Sequence, residues 1–205
     1  MTRSALLGGV ALFALSMPAL AADLIIDTPA PMAMAPAHET GVYAEFLGGA
    51  ALPATMIYDT DDEYDYAAGW AVAGVLGFAT GIDGLSLEGD LFYASRDSSP
   101  DENDEYNVTT ASAMAALKYT VDLNDTFSVY GAVGLGGVYL RDEEIGGAVE
   151  AEGWGAGYLL KAGVTAQVAD AVSLVGEIRH VESFERIDDE QIGTTSVLAG
   201  VKFDF

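Results

Sequence analysis

The feature that most constrains the fold of this chain is a change in residue pattern at Gly41. After this residue, small or apolar residues recur at every second position. A period of two is typical of β-strands, because successive side chains point to opposite faces. Eight segments of this kind, rich in Val, Leu, Tyr, Phe, Ala and Gly, predict eight strands. The segments are Val42–Leu52, Gly69–Thr80, Leu85–Arg96, Thr109–Val121, Phe127–Leu140, Trp154–Val168, Val172–Val181 and Thr194–Phe205.

The connections between these segments alternate in length. Tight turns at one end and long acidic loops at the other are typical of an outer-membrane barrel, whereas a soluble lipocalin-like barrel does not require this alternation. We therefore expect an all-β fold, an eight-stranded antiparallel up-and-down transmembrane β-barrel whose termini lie with the short turns on the periplasmic side. The short connections are 81–84, 122–126 and 169–171, and the long ones are 53–68, 97–108, 141–153 and 182–193.

The two faces of the segments differ in chemistry. In the third segment, three leucines share one face with Gly89 and Tyr93, while Glu88 and Asp90 lie on the other face, and the sixth and eighth segments divide in a similar way. An apolar face with aromatic residues near its ends is what a lipid-facing wall requires. A closed sheet also leaves no backbone edge unpaired in lipid, so the pattern favours a membrane barrel.

The N-terminal part of the chain has a different character. Arg3 and the apolar run over residues 5–18 precede a small-x-small site at 19–21, which are the parts of a secretory signal peptide. We expect cleavage after this site, the alternative being a retained membrane anchor. Residues 22–40 are rich in Pro, Ala and Met and predict an extended periplasmic linker, in which His38 has no specific role. The expected organisation is a signal peptide over 1–21, a linker over 22–40 and a barrel over 41–205.

Three stretches resemble one family. GVYAEFLGGA (41–50), LSLEGDLFYASRD (85–97) and the terminal AGVKFDF (199–205) are similar to the small outer-membrane β-barrel proteins of alphaproteobacteria, labelled porin family or outer membrane protein beta-barrel domain, with an OmpA-like or OmpX-like membrane domain. The resemblance implies the cell outer membrane as location and outer-membrane lipids and lipopolysaccharide as partners. It also implies that the barrel-assembly machinery reads an alternating C-terminal signal. The residues of this signal are Val201, Phe203 and Phe205.

Charged residues also occur on the face that is expected to point inward. An eight-stranded barrel has an interior just wide enough for its side chains to fill, and buried charges are stable only when they are paired. We expect the acids Glu88, Asp90 and Glu177 to pair with Lys161 and Arg179 as a structural polar plug, the alternative being a gate or ion path. The complete predicted interior network is Glu45, Glu88, Asp90, Lys118, Lys161, Glu177, Arg179 and Lys202.

The remaining acids are concentrated in the long connections. The chain has 32 Asp and Glu against 8 Lys and Arg, a net charge of −24, and twenty of the acids lie in those four connections. This balance argues against binding of nucleic acid and predicts solvated, negatively charged loops. Divalent cations could bind there weakly through carboxylate oxygens. The stretch DTDDEYDY lacks the central Gly and the spaced final Glu of an EF-hand loop, so no defined metal site and no cofactor are expected.

Residues suited to catalysis are scarce, since the chain has no Cys, two His and no G-x-S-x-G motif. His180 and Ser183, with Glu182 or Glu185, resemble a Ser-His-acid set, but residues three apart on a strand point to opposite faces. We therefore expect that this protein is not an enzyme. The predicted role is in outer-membrane integrity and cell-surface properties. The alternatives are a narrow diffusion channel for small solutes or ions, and a surface adhesin or binding barrel.

Overall fold

The computed structural model describes residues 41–57, 63–98, 106–144, 149–191 and 193–205, all of which belong to one unit of the chain. The predicted signal peptide and linker, with His38, lie outside the described residues. None of the described segments is a helix with the length and apolar character needed to cross a membrane. The strands are β1 Val42–Ala51, β2 Ala54–Ile57, β3 Glu63–Tyr66, β4 Gly69–Ala79, β5 Leu85–Asp97, β6 Tyr106–Asp122, β7 Phe127–Glu144, β8 Val149–Ala169, β9 Val172–Ser183 and β10 Thr194–Asp204.

Eight of these strands close into one antiparallel barrel. Around the wall the order is β1, β10, β9, β8, β7, β6, β5 and β4, so strands that follow one another in the chain are neighbours. β1 pairs with both β10 and β4, with Tyr43 opposite Asp204 on one side and Val42 opposite Phe78 on the other. Closure pairs the edges that an open sheet would leave exposed. The predicted eight-stranded antiparallel up-and-down barrel is therefore confirmed.

Three tight turns connect β4 to β5, β6 to β7 and β8 to β9. The first contains Gly81 and Gly84, whose φ angles of 81° and 71° lie in the left-handed region that favours glycine. In the second turn the side-chain oxygen of Asn124 accepts hydrogen bonds from the backbone N–H groups of Thr126 and Phe127, each at 2.9 Å. The turns and the barrel's terminal residues share one end, called the turn end below, and the long connections occupy the loop end.

The long connections contain more regular structure than the sequence predicted. β2 and β3 form a two-stranded sheet within the first connection. β7 continues to Glu144 and β8 begins at Val149, so the prediction of a loop over 141–153 was wrong for most of that range. A strand beyond the barrel wall needs backbone pairing, as between Asp142 and Ala151, but no apolar face. It therefore lacks the period of two by which the other strands were recognised.

The outer wall is apolar over the middle of the barrel. The side chains of Leu91 and Leu135 are each 64% exposed, whereas Glu88 points inward and is 1% exposed. Towards the loop end the rings of Trp70 and Tyr93 pack with centroids 5.2 Å apart. The two faces of β5 are thus those predicted from the alternation of its sequence, and the outer face has the chemistry of a wall in contact with lipid.

Candidate functional site

The densest chemistry lies in the barrel interior, where seven buried charges form one group, called the interior network below. Each sits at an inward-facing strand position and is at most 4% exposed. Glu88 and Asp90 illustrate why, because residues two apart on a strand point to the same face. The network contains four carboxylates and three cations. Its members are Glu45, Glu88, Asp90, Lys118, Lys161, Glu177 and Arg179.

Lys161 on β8 contacts three carboxylates. Its Nζ lies 2.7 Å from Glu88 Oε2, 2.9 Å from Asp90 Oδ2 and 3.8 Å from Glu177 Oε2. The lysine and these acids have fully buried side chains, so the interactions are not weakened by solvent. This single cation therefore connects β8 with β5 and β9.

Arg179 on β9 reaches across the barrel. Its Nη1 lies 2.9 Å from Asp90 Oδ1, and its Nη2 lies 2.6 Å from Glu177 Oε1. A second contact, from Nη2 to Asp90 Oδ2 at 3.1 Å, makes the contact with Asp90 bidentate. Because β9 and β5 are opposite strands of the eight, this pair joins the two sides of the wall.

The part of the network nearest the turn end also uses tyrosines. Lys118 Nζ lies 2.7 Å from Glu45 Oε1 and 3.1 Å from Glu88 Oε1. The hydroxyl of Tyr43 donates to Glu88 Oε1 at 2.6 Å, and the Lys118 ammonium lies over the rings of Tyr43 and Tyr130, at 4.7 and 4.3 Å from their centroids. Neither tyrosine was predicted to belong to the network. Both tyrosines occupy inward-facing strand positions, and Tyr43 is two residues from Glu45. This alternation was the signal from which they could have been predicted.

Lys202, the eighth predicted member, lies opposite Glu45 on the neighbouring strand β10, and it forms an ion pair with an acid outside the group of seven. Its Nζ is 2.9 Å from Asp204 Oδ1, near the turn end, and 4.5 Å from the centroid of the Tyr43 ring. The acids predicted to pair with Lys161 and Arg179 do contact them. Glu45 and Lys118, for which no partner was predicted, contact each other.

Above the network, the interior becomes apolar and then closes at the loop end. Phe92 and Leu159 are buried in the apolar layer. Higher still, Arg96 donates from Nε to the Leu52 carbonyl oxygen at 2.9 Å and from Nη1 to Thr194 Oγ1 at 3.2 Å. This level of the interior, together with the side chains from the connections that cover it, is called the mouth below.

Thr110 and Thr194 show how narrow the interior is at the mouth. Their hydroxyl oxygens are 3.0 Å apart, although β6 and β10 are opposite strands. Both threonines are at most 1% exposed. Direct contact between opposite walls leaves no lumen between these two side chains.

Among the described residues of the long connections, two side chains cover the mouth, and neither was predicted. Tyr66 of β3 is 1% exposed, and its hydroxyl donates to Asp142 Oδ2 at 3.0 Å. Ile187 is 6% exposed and packs over Gly153 and Gly155 of β8, where an added Cβ would lie 2.9 and 3.0 Å from its side chain. Two small inward positions on β8 thus make room for Ile187.

The Ser-His-acid set considered from the sequence is not assembled. Ser183 points inward and is 4% exposed, whereas His180 lies on the outward face of β9. His180 Nδ1 is 2.9 Å from Thr195 Oγ1, and Nε2 is 3.3 Å from Glu182 Oε2. The histidine therefore contacts side chains of the outer wall, not the serine.

Metal ligands are not gathered in the described part of the chain. No group of three or more His, Cys, Asp or Glu side chains there has the arrangement of a metal site. Seven of the predicted loop acids lie outside the described residues. They are Asp59, Asp61, Asp62, Asp101, Glu102, Asp104 and Glu105.

The predicted assembly signal lies on the last barrel strand. The side chain of Phe203 is 37% exposed, and that of Phe205, which follows β10, is 81% exposed. Val201 shares this outward-facing parity. The three residues line the outer wall at the turn end, and their reading by the assembly machinery stays a prediction.

A closed antiparallel barrel with an apolar outer wall and a filled, charged interior defines the class of outer-membrane β-barrels. Residues 9–205 match the model of the family described as outer membrane protein beta-barrel domain, and the chain belongs to that family. It is therefore an outer-membrane β-barrel protein, as the resemblance in its sequence implied.

Solved structures show the same fold. Neisserial surface protein A (NspA) is similar with a TM-score of 0.57 at 17% identity, over 80% of this chain and 97% of that one. The outer membrane protein OprG from Pseudomonas aeruginosa is similar with a TM-score of 0.52 at 11% identity, over 82% of this chain and 97% of that one. No curated protein matches the chain significantly. At these identities the likeness concerns the fold alone.

Proposed function

We propose that this protein is a non-enzymatic barrel that contributes to outer-membrane integrity and to the properties of the cell surface. The observation that carries the proposal is the cross-braced interior. Lys161 and Arg179 join strands on both sides of the wall through Asp90, and Thr110 meets Thr194 higher up. Contacts of this kind between opposite strands make the barrel rigid and leave little room in its interior for a solute to pass.

The interior also argues against the alternative of a diffusion channel. A solute crossing the barrel would have to separate the fully buried pairs of Lys161 with Glu88 and Asp90, and then pass the mouth below Tyr66. A buried charge left without its partner is strongly unfavourable, on the order of 3–5 kcal/mol. The charges therefore act as a plug, consistent with their short contacts.

Single-channel recording in planar bilayers tests this choice. The folded full-length chain, extracted from membranes, is expected to insert without giving discrete conductance steps. The double variant Lys161→Met, Arg179→Met is the comparison, since it removes two of the three cations of the interior network. Steady conductance steps from the unaltered protein, with an amplitude that increases with salt concentration, would overturn the plug and favour the channel.

The integrity role is tested in the cell that carries the protein. Cells that no longer produce the protein are expected to admit more detergent and more of the large antibiotics through the outer membrane. Production of the unaltered protein in these cells is expected to reverse this. A version lacking residues 185–190 of the last long connection loses Ile187 from the mouth but should still restore the barrier, because the barrel wall and the interior network remain. If that version restores the barrier but the cell loses attachment to a surface, the adhesin alternative gains support. If removal of the whole chain leaves the barrier unchanged, the integrity role is wrong.

A further inference from the structure

The outer wall carries a shallow groove whose lining includes Lys161 and Arg179, although the charged side chains of these two residues are buried in the interior network. It runs obliquely across the strands from β5 to β10 and encloses about 660 Å³. Its floor is formed by Gly131 and Ala162, which are direct partners across β7 and β8. Larger outward side chains form its sides, and this outer groove is lined by Leu117, Tyr119, Val133, Leu160 and Ile178.

The shape of the outer groove follows from the alternation of small and large outward residues. Tyr119 is the cross-strand partner of Gly131, and Ile178 is the partner of Ala162, so each small residue has a large neighbour. The side chains of Leu117, Tyr119 and Ile178 are between 50% and 56% exposed and line a surface that is otherwise continuous with the apolar wall. An apolar groove whose floor is one residue wide suits a single hydrocarbon chain, because such a chain can make close contact along its whole length.

The end of the outer groove nearest the loop end is polar, which is unusual on a wall that faces lipid. His180 and Thr195 line this end. Glu182 accepts hydrogen bonds from the Tyr158 hydroxyl and, at 3.2 Å, from Gln191 Nε2, and its Oε2 lies 3.3 Å from His180 Nε2. These five side chains are called the polar cluster below. These side chains satisfy one another through hydrogen bonds, and at the edge of the apolar groove they also offer donors and acceptors to a polar ligand group that lies beside it.

The charge around the polar cluster indicates what kind of head group it would accept. The connection over 182–193 contains five acids and one base, Arg186. Glu185, Asp188 and Asp189 are exposed there, so a bare phosphate group would meet repulsion. Hydroxyl and amide groups carry no charge, and they can both donate to and accept from the side chains of His180 and Thr195.

We propose that the outer groove and the polar cluster together bind one glycolipid of the outer leaflet. An acyl chain lies over Gly131 and Ala162, and a hydroxyl or amide group of the sugar head contacts His180 and Thr195. This inference rests on the proposed function, because it gives the barrel a specific lipid contact through which it stabilises the surrounding leaflet. Continuity of the groove with the lipid-facing wall selects a lipid as occupant, and the acidic surroundings select a sugar head over a phosphate head.

Native mass spectrometry of the detergent-extracted full-length chain tests the site. The probes are lipid A, dephosphorylated lipid A and phosphatidylethanolamine, offered at equal concentrations. Dephosphorylated lipid A is expected to be retained at least as well as lipid A, and about tenfold more than phosphatidylethanolamine. Equal retention of all three lipids, or loss of binding on dephosphorylation, would overturn the proposal.

Substitutions in the groove separate this site from general lipid adhesion. At Gly131 an added Cβ would have only the Lys161 backbone oxygen nearby, at 4.0 Å, so Gly131→Leu fills the groove without disturbing the wall. Its matched control is Gly74→Leu, on the outer face of β4, where an added Cβ meets nothing within 4 Å. We expect Gly131→Leu to lower lipid A retention about tenfold and Gly74→Leu to leave it unchanged. Equal behaviour of the two variants would overturn the proposal.

A second set of variants tests the polar cluster and guards against misfolding. Thr195→Val and His180→Gln should remove the preference for lipid A over phosphatidylethanolamine while the acyl-chain contact persists. A change in gel mobility on heating reports whether each barrel is folded, and Ala162→Leu replaces Gly131→Leu if the latter fails this check. Because conductance and the cellular barrier are measured separately, failure of the lipid site leaves the proposed function standing, and the reverse also holds.

Discussion

The interior network and the mouth close the same barrel by different physical means. In the network every member comes from a barrel strand and carries a charge, and Lys161 alone contacts three carboxylates. At the mouth the threonines meet through neutral hydroxyls, the one cation described there, Arg96, donates to neutral oxygens, and Tyr66 and Ile187 come from the connections. The comparison indicates that charges deep in the barrel are stable when rigid strands hold them in pairs, whereas near the loop end connections can fold inward and supply apolar cover.

Removal of one network cation is expected to have the largest effect. Lys161→Met leaves four carboxylates facing two cations, and we expect it to lower the free energy of unfolding by about 4 kcal/mol. Urea titration of the folded barrel, followed by the heat-dependent gel shift, measures this change. The matched control is Lys202→Met, which removes the same charge at the turn end, where the partner Asp204 is exposed. Equal losses in the two variants would contradict the distinction between the network and the rest of the interior.

Removal of one network acid is expected to have a smaller effect. In Asp90→Asn, Lys161 keeps Glu88 and Arg179 keeps Glu177, and the numbers of acids and cations become equal. We therefore expect a loss of about 2 kcal/mol, from weakened hydrogen bonds to charged groups. The same urea titration measures it, with Asp83→Asn in an exposed turn as the control. A loss greater than that of Lys161→Met would show that the excess of carboxylates does not govern the network.

Truncation at the mouth is expected to act locally. Ile187→Ala uncovers Gly153 and Gly155, and we expect the protection of backbone amides near Ile187 to fall by about 2 kcal/mol in hydrogen exchange. The urea midpoint of the barrel should change much less, because the network is untouched. Ile82→Ala, in a turn where the side chain is 64% exposed, is the control. A large shift of the urea midpoint would mean that the mouth stabilises the whole barrel.

Removal of a solvent-exposed ion pair is expected to have the smallest effect. Arg141 pairs with Glu143 near the loop end of β7, and both side chains are about 40% exposed. Since water and salt screen such pairs, Arg141→Ala should leave the urea midpoint unchanged. A clear loss of stability at high salt concentration would contradict this expectation.

The alternation of residues was sufficient to predict much of this architecture. Parity along each segment identified eight strands and assigned Leu91 to the outside and Asp90 to the inside. It worked because a wall with lipid on one side and a packed interior on the other imposes chemistry on every second residue. Where that two-sided environment ends, as beyond Leu140 on β7, the signal ends too and the predicted boundaries were wrong.

The sequence by itself determined which side of the wall each strand residue faces, and hence which charges are buried. Only the tertiary structure decided the partners that come from different strands: Lys118 meets Glu45 and Glu88, while Arg179 meets Asp90. Facing is a local property, since it follows from the pleat of one strand. Partnership depends on the stagger of eight strands around a closed barrel, and that stagger sets which inward side chains share a level. No short stretch of sequence contains that information, because it arises when the first and last strands meet.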